Sequence, residues 1–394
     1  MPDILPCDIL VVGAGPAGST AAAAAAREGA ETVMIDAKVR IGEQPHCGEF
    51  VPERLFSETA IEKTAIIQRV DYLETRLITK ARAVDRDAIP SGRGADTQTD
   101  SQGTSGDVEN SEYKRSEILS PGFLIDRVRF DRDLAREAAA QGVTVFCSAR
   151  LVGAEDGAWV VEHGGQKKVF RPRLTIASDG ARSTVAATLA LKPPKVLRGL
   201  QVEVPLVEPL NKTLVFLDRN FVGGYGWLFP KGKAANVGIG AFPCKQIRMG
   251  KMLDQFMETL CREGMIRRGI LARSGGLIPV SGIREKLVLD TAVFCGDAAG
   301  LTHPITGAGI PQAIFSGELA GRAAAAAITK SDRRYLREYE AEIRSRYEGI
   351  ISHALSKRAL MMDRWDDPDF EALCEETWIG FKGYRKRIRI GVPA

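Results

Sequence analysis

The chain has 394 residues and is 44% hydrophobic, enough for one large core or two joined ones. Its 54 Lys and Arg nearly balance 50 Asp and Glu, and a net charge of +4 is too small for the electrostatic footprint of a nucleic-acid binder. Seven cysteines, scattered and without C-x-x-C spacing, argue against a disulfide framework and a metal site and fit a reducing compartment. No basic-then-apolar leader is visible and no apolar run reaches the ~18 residues of a membrane span. The expectation is a cytoplasmic protein, at most peripheral to the inner face of a membrane.

In chain order, the apolar run at 9–12 predicts a buried strand, the small-residue stretch 17–27 a helix, and 32–35 a second strand, together a parallel crossover. The turn between them reads GAGPAG. Gly13 permits the tight turn, Gly15 lets the backbone approach a pyrophosphate, and Gly18 lets helix and strand pack closely, while the helix N-terminus adds N–H donors and a positive dipole. Asp36, eighteen residues after Gly18, closes the second strand where it can accept hydrogen bonds from a ribose. The fingerprint predicts a bound dinucleotide and does not choose between FAD and NAD.

Residues 85–117 carry almost no large apolar side chain and cannot form a packed core, so they read as a flexible polar insertion or, alternatively, a lid. Helical periodicity follows at 130–140, then strands at 143–147 and 174–177, a strand-rich stretch over 200–242, and a short strand at 292–295. Trp378, Phe381 and Tyr384 alternate with Lys382, Arg385, Lys386, Arg387 and Arg389 near the C-terminus. That composition suits an anionic membrane surface or, equally, a solvated charged terminus.

Further motifs resemble the flavoprotein family that includes para-hydroxybenzoate hydroxylase and the geranylgeranyl reductases. ASDGARSTV, with Asp179 and Gly180 after a strand, is similar to that family's second dinucleotide-associated turn. CGDAAGLTHPITGAGIPQAI places Asp297 where the family aspartate meets the flavin's ribitol side, and Gly307, Gly309 and Ile310 at the loop beside the isoalloxazine. GFLIDRVRFDRDLAREAAAQGV resembles the segment whose arginine reaches the flavin, which implies Arg127; by the same alignment Leu151 passes the adenine.

GYGWLFPKGKAANVGIG fits the Y-x-W-x-F-P motif followed by G-x-G that marks geranylgeranyl reductases, implying substrate contacts at Tyr225, Trp227, Phe229 and Pro230. HCGEF falls where those enzymes carry a cysteine followed by small and acidic residues near the flavin. Phe50 departs from the glycine many relatives have. The resemblance implies FAD as cofactor, touched by Ala17, Cys47 and Gly48 besides the residues above, with NAD(P)H or ferredoxin as electron donor. It implies an α/β fold: a discontinuous Rossmann-like FAD-binding domain over 1–80, 118–190 and 275–330, a mainly antiparallel substrate sheet over 191–274, and a helical region over 331–394.

Reducing an isolated carbon–carbon double bond needs a hydride on one carbon and a proton on the other. Reduced flavin supplies the hydride. A thiol, with an ordinary pKa of ~8.5, is still protonated at neutral pH, so Cys47 is the candidate donor with Glu49 behind it; a buried packing thiol is the alternative. Tyr225 and Trp227, at alternate positions of a strand, form either an apolar wall over the flavin or ordinary core. His303 is expected to make a structural hydrogen bond. The expected activity is reduction of an isoprenoid or other apolar lipid. The alternatives are a flavin monooxygenase or halogenase acting on an aromatic ring, and a non-catalytic lipid carrier.

Overall fold

The computed structural model describes residues 4–43, 47–78, 113–243 and 248–386. Two eight-stranded sheets organise it. In the first, strand Ile4–Val12 runs parallel to Thr32–Ile35 on one side and to Gln166–Ala177 on the other, with Ile9 opposite Thr32 and Leu174. Thr144–Phe146 extends it beyond 32–35, Ala292–Phe294 extends it beyond 166–177, and both additions are parallel. Ile9, Leu10 and Val11 are fully buried, as a central parallel strand covered on both faces requires.

Helices Pro16–Arg27 and Ile310–Thr329 cross closely on this sheet. Ala21 to Ala25 are buried on the first helix, and a side chain at Gly317 or Gly321 on the second would collide with the backbone of Ala17 or Ala21. The run of alanines that looks featureless in the sequence is thus a helix–helix contact at minimum separation.

The second sheet is mainly antiparallel, with one parallel pair between Lys212–Leu217 and Ile66–Ile78. Its register places Trp227 opposite Gly238 and Tyr225 opposite Gly240. Helix Met249–Arg262 covers one face through Met252, Leu253, Phe256 and Leu260. The chain then forms the long helix Arg334–Asp363, helix Phe370–Thr377 and a last turn, Lys382–Arg385.

This sheet recruits more of the chain than the expected 191–274. Phe50–Pro52, Ile66–Ile78 and Tyr113–Ile125 join it from the segment assigned to the nucleotide domain, and Ala272–Pro279 crosses the expected boundary at 275. Periodicity marks strands but not the sheet they enter, because partners such as Lys212 and Tyr72 are far apart in sequence. Of the polar insertion, 85–112 lies outside the described residues, while 113–117 are the start of a strand that pairs with 74–78.

The C-terminal aromatics also differ from a membrane face. Trp378 is 2% exposed and donates its indole N–H to Thr75 Oγ1 at 2.9 Å, and Tyr384 is 7% exposed. Both belong to a core with Leu77, Val215 and Phe370. Lys382, Arg385 and Lys386 are exposed; Arg387 and Arg389 lie outside the described residues. An aromatic–cation alternation reads the same whether the aromatic side enters lipid or protein, and here it enters protein.

Candidate active site

The glycine turn after strand Ile4–Val12 is shaped by contacts that leave no room for side chains. Gly13 has φ +99, a left-handed conformation, and a Cβ there would sit 2.5 Å from Ser178 O. Gly18, in the first turn of the helix, faces the turn itself, and a Cβ there would come inside 3.0 Å of both Gly13 O and Ser178 Oγ. Gly15 is the opposite case: a Cβ would meet no atom of the described residues within 4 Å, and the residue lines a cavity of about 920 Å³. The Asp36 carboxylate braces the turn from the end of the second strand, accepting from Ala14 N at 2.7 Å and from Lys38 N at 2.8 Å.

Most of the expected cofactor residues share that one cavity. Gly13, Gly15, Ala17 and Asp36 line it from the first crossover, Leu151 and Asp179 from the strands beyond, and Arg127 and Cys47 from the opposite side. Asp297, Gly307, Gly309 and Ile310 close it. Gly18 sits behind the turn as packing, and Gly48 is covered by the Phe229 ring, 2.7 Å from where its Cβ would be.

The lining fits a polar, phosphate-bearing cofactor. Asp179 accepts from Val185 N through Oδ2 at 3.1 Å, while its Oδ1 is buried with no partner among the described residues. Such an oxygen is costly unless a ligand donor meets it, and burial raises the Asp179 pKa above the usual carboxylate range. Asp297 accepts the Thr302 hydroxyl at 2.5 Å; burial lifts its pKa too, opposed by Thr302 and the charge of Arg127. Helix Ile310–Thr329 starts at Gly309 with no side chain capping its first turn, which leaves backbone donors and the positive dipole end at the cavity.

Cys47 is the thiol of this cavity. Its Sγ accepts from Glu49 N at 3.2 Å. Burial pushes its pKa up, while the neighbouring Arg127 guanidinium pulls the other way. Arg127 is itself clamped by Asp131, Nε to Oδ1 at 3.0 Å and a terminal nitrogen to Oδ2 at 3.1 Å, a bidentate pair one helical turn long. The thiol is therefore protonated at neutral pH with a cation beside it.

Glu49 does not face this site. Its carboxylate is buried against Lys231 Nζ at 2.7 Å and accepts from Asn236 Nδ2 at 2.8 Å, so it is spoken for within the second sheet and is not a proton source at the cavity. The residue itself sits at φ +70, a left-handed conformation uncommon outside glycine.

The aromatic motif forms a wall behind the Gly307 loop and not part of the cavity lining. Tyr225, Trp227 and Phe229 alternate onto one face of strand Tyr225–Lys231, and Pro230 falls on the other, with Gly226, which packs near Phe256. Pro230 therefore lies on the face away from the three aromatic rings. The Tyr225 hydroxyl donates to Thr306 O, its ring lies 5.8 Å from Trp227 and 4.9 Å from Trp378, and its pKa is raised by burial and by nearby Cys47. Trp227 donates to Gln201 Oε1 at 2.8 Å and lies across Gly238, where a Cβ would overlap the indole. The first glycine of the G-x-G pair makes room for that ring, while a Cβ at Gly240 would only touch it at 3.7 Å.

His303 plays the structural part expected of it. Its Nδ1 accepts from Ile305 N at 3.3 Å and Thr306 N at 3.2 Å, its Nε2 faces the Tyr384 hydroxyl at 3.3 Å, and burial pulls its pKa down to about 4. Asp131 and Thr302 join the cavity lining without having been expected there, and Lys231 and Asn236, equally unexpected, hold Glu49 behind it. Only Asp131 had a readable signal, its i+4 spacing from Arg127 on a helix.

Comparison with known proteins agrees with this geometry. The family model of an FAD binding domain matches residues 6–204, and that of the geranylgeranyl reductase catalytic domain matches 207–277. The digeranylgeranylglycerophospholipid reductase of Methanocaldococcus jannaschii is 32% identical over 98% of this chain and 96% of its own. The digeranylgeranylglycerophospholipid reductase 1 of Methanothermobacter thermautotrophicus is 32% identical over 93% of this chain and 89% of its own. A geranylgeranyl bacteriochlorophyll reductase-like protein from Thermoplasma acidophilum superposes with a TM-score of 0.78 at 25% identity, covering 96% of this chain and 92% of that one. A flavin-dependent brominase reaches 0.66 at 15% identity, over 93% and 92%, a likeness of fold alone.

Proposed function

This chain belongs to the geranylgeranyl reductase family of FAD-dependent oxidoreductases, and we propose that it saturates carbon–carbon double bonds in the geranylgeranyl chains of an isoprenoid lipid, with Cys47 as proton donor. The observation that carries the reading is the Cys47 thiol opening onto the same cavity as the glycine turn, Asp297 and the Gly307–Gly309 loop, where burial favours its protonated form.

Gly13, Gly15 and the first turn of helix Pro16–Arg27 would hold the pyrophosphate of FAD, Asp36 the adenosine ribose, and Asp179 with Asp297 the hydroxyls nearer the flavin. Reduced flavin, when bound there, supplies the hydride. The chain supplies the rest. Cys47 gives its S–H proton to the second alkene carbon, and the thiolate left behind is stabilised by the Arg127 guanidinium and the Glu49 amide until water reprotonates it. Asp131 keeps Arg127 in place for that charge. Tyr225 and Trp227 back the Gly307 loop with an apolar, tightly hydrogen-bonded wall.

We place NAD(P)H as the electron donor, with ferredoxin the alternative; anaerobic flavin bleaching by one and not the other distinguishes them. We also place the enzyme in the cytoplasm, at the membrane surface, with exposed Lys382, Arg385 and Lys386 facing anionic lipid; sedimentation with anionic vesicles tests this. The main test is incubation of the FAD-loaded protein with a geranylgeranyl-bearing lipid and reductant. Products carrying one added H2 per reduced bond, identified by mass spectrometry, are expected. Unchanged lipid, with hydroxylation or halogenation of an aromatic substrate in air, overturns the reading.

A further inference from the structure

We propose that the network of buried Glu49 and Asn236 with half-buried Lys231 and Glu203 is a positioning device that fixes the 47–49 turn against the substrate sheet and so aims the Cys47 thiol into the cavity; this rests on the reading of Cys47 as proton donor. Four contacts define it. Lys231 Nζ reaches Glu49 Oε2 at 2.7 Å and Glu203 Oε2 at 3.0 Å, and Asn236 Nδ2 donates to Glu49 Oε2 at 2.8 Å and to Gly48 O at 3.4 Å. The side chains of Glu49 and Lys231 are only 6% and 13% exposed.

Three features argue for aim over mere stability. Glu49 sits at φ +70, where glycine would be the easier residue, so the position keeps a strained backbone in order to keep a carboxylate. A buried ion pair is in general a weak source of stability and is often matched by apolar residues of the same size. And Lys231 ends the very strand that carries Tyr225, Trp227 and Phe229, while the Phe229 ring packs on Gly48, so the turn and the aromatic wall are joined at each residue from 48 to 49. The Glu49 amide that this turn orients is the one donating to Cys47 Sγ.

The experiment compares Lys231→Arg, Asn236→Ala, Lys231→Met and the double variant Glu49→Gln with Lys231→Met, which leaves no charge at position 49 and only the 28% exposed Glu203 carboxylate without its lysine. A misaligned donor loses about 10- to 100-fold in rate. We expect the double variant to keep the wild-type melting temperature, FAD affinity and lipid KM while alkene-dependent kcat falls by that factor, Asn236→Ala to fall less, and Lys231→Arg to stay near wild type. Turnover that equals wild type in the double variant, or that falls only in step with melting temperature across the series, overturns the proposal. Should a Met variant fail to fold, Asn236→Ala carries the same comparison. Alkylation of Cys47 by iodoacetamide, followed on its own peptide, separates this from the donor reading. Wild-type turnover in Cys47→Ala removes Cys47 from the chemistry, whereas an unchanged alkylation rate in the network variants removes the network from Cys47.

Discussion

Gly15 and Gly18, three residues apart in the same turn, should respond differently to alanine. At Gly15 the new Cβ meets no atom of the described residues within 4 Å and the backbone φ is −76, which alanine accepts, so the folded protein loses only the N-cap preference of glycine over alanine, under about 1 kcal/mol. The space the methyl enters is the cavity, where the pyrophosphate of FAD would approach. Losing one charge-assisted hydrogen bond costs about 1.5–3 kcal/mol, or roughly 10- to 150-fold in Kd. At Gly18 the methyl instead lands inside 3.0 Å of Gly13 O and Ser178 Oγ, both fixed by the sheet. Overpacking of that kind costs about 1–3 kcal/mol before any cofactor is added, partly offset by the helix propensity of alanine. The assay is thermal denaturation of the apo-protein together with FAD titration by fluorescence quenching. Gly15→Ala should keep the apo melting temperature and lose FAD affinity, and Gly18→Ala should lose both. Undiminished FAD binding in Gly15→Ala would refute the assignment of this turn to the pyrophosphate.

Cys47→Ala should retain FAD and lose about 10²- to 10⁴-fold in alkene reduction, the usual weight of a general acid, measured by steady-state turnover with flavin content as control. Asp131→Ala leaves the buried Arg127 guanidinium without its bidentate partner and should destabilise by about 3 kcal/mol or more in urea denaturation, with Asp131→Asn milder. His303 is held neutral, its pKa near 4 against an ordinary 6.5. Between those values the unfolded chain binds the proton and the native one does not, so this residue's contribution is full above about pH 6.5 and is lost as pH falls toward 4, on the order of 3 kcal/mol in total. Melting temperature plotted against pH should therefore fall less steeply over that window in His303→Asn than in wild type; parallel curves would contradict the assignment.

The nucleotide half of the site was legible because its logic is local. Gly13, Gly15, Gly18 and Asp36 sit within one strand–helix–strand unit, and their spacing alone dictates a turn that must approach a ligand. The reaction half was legible only as resemblance, and the residues that complete it were hidden for a physical reason: they act through pairs far apart in the chain. Cys47 meets Arg127, and Glu49 meets Lys231, only because strand Phe50–Pro52 pairs with strand Tyr113–Ile125 in the same sheet that holds strand Tyr225–Lys231. No periodicity reports that. Glu49 reads in the sequence as a partner of the thiol two positions away, and its pairing with Lys231 and Asn236 is a long-range contact that spacing does not report. Strand alternation does place Pro230 on the face opposite Phe229. Trp378 and Tyr384 show the limit of composition: the same aromatic spacing suits a lipid surface and a protein core, and burial alone decides.

Electrons that leave this flavoprotein for an isoprenoid double bond are followed by anaerobic stopped-flow reoxidation. The holoenzyme, reduced and freed of excess reductant, is mixed with a geranylgeranyl-bearing lipid without oxygen. Flavin absorbance should return in step with the appearance of saturated lipid, and in Cys47→Ala it should return far more slowly. A flavin that stays reduced with the lipid, and reoxidises only when oxygen and an aromatic acceptor are added, would contradict the account.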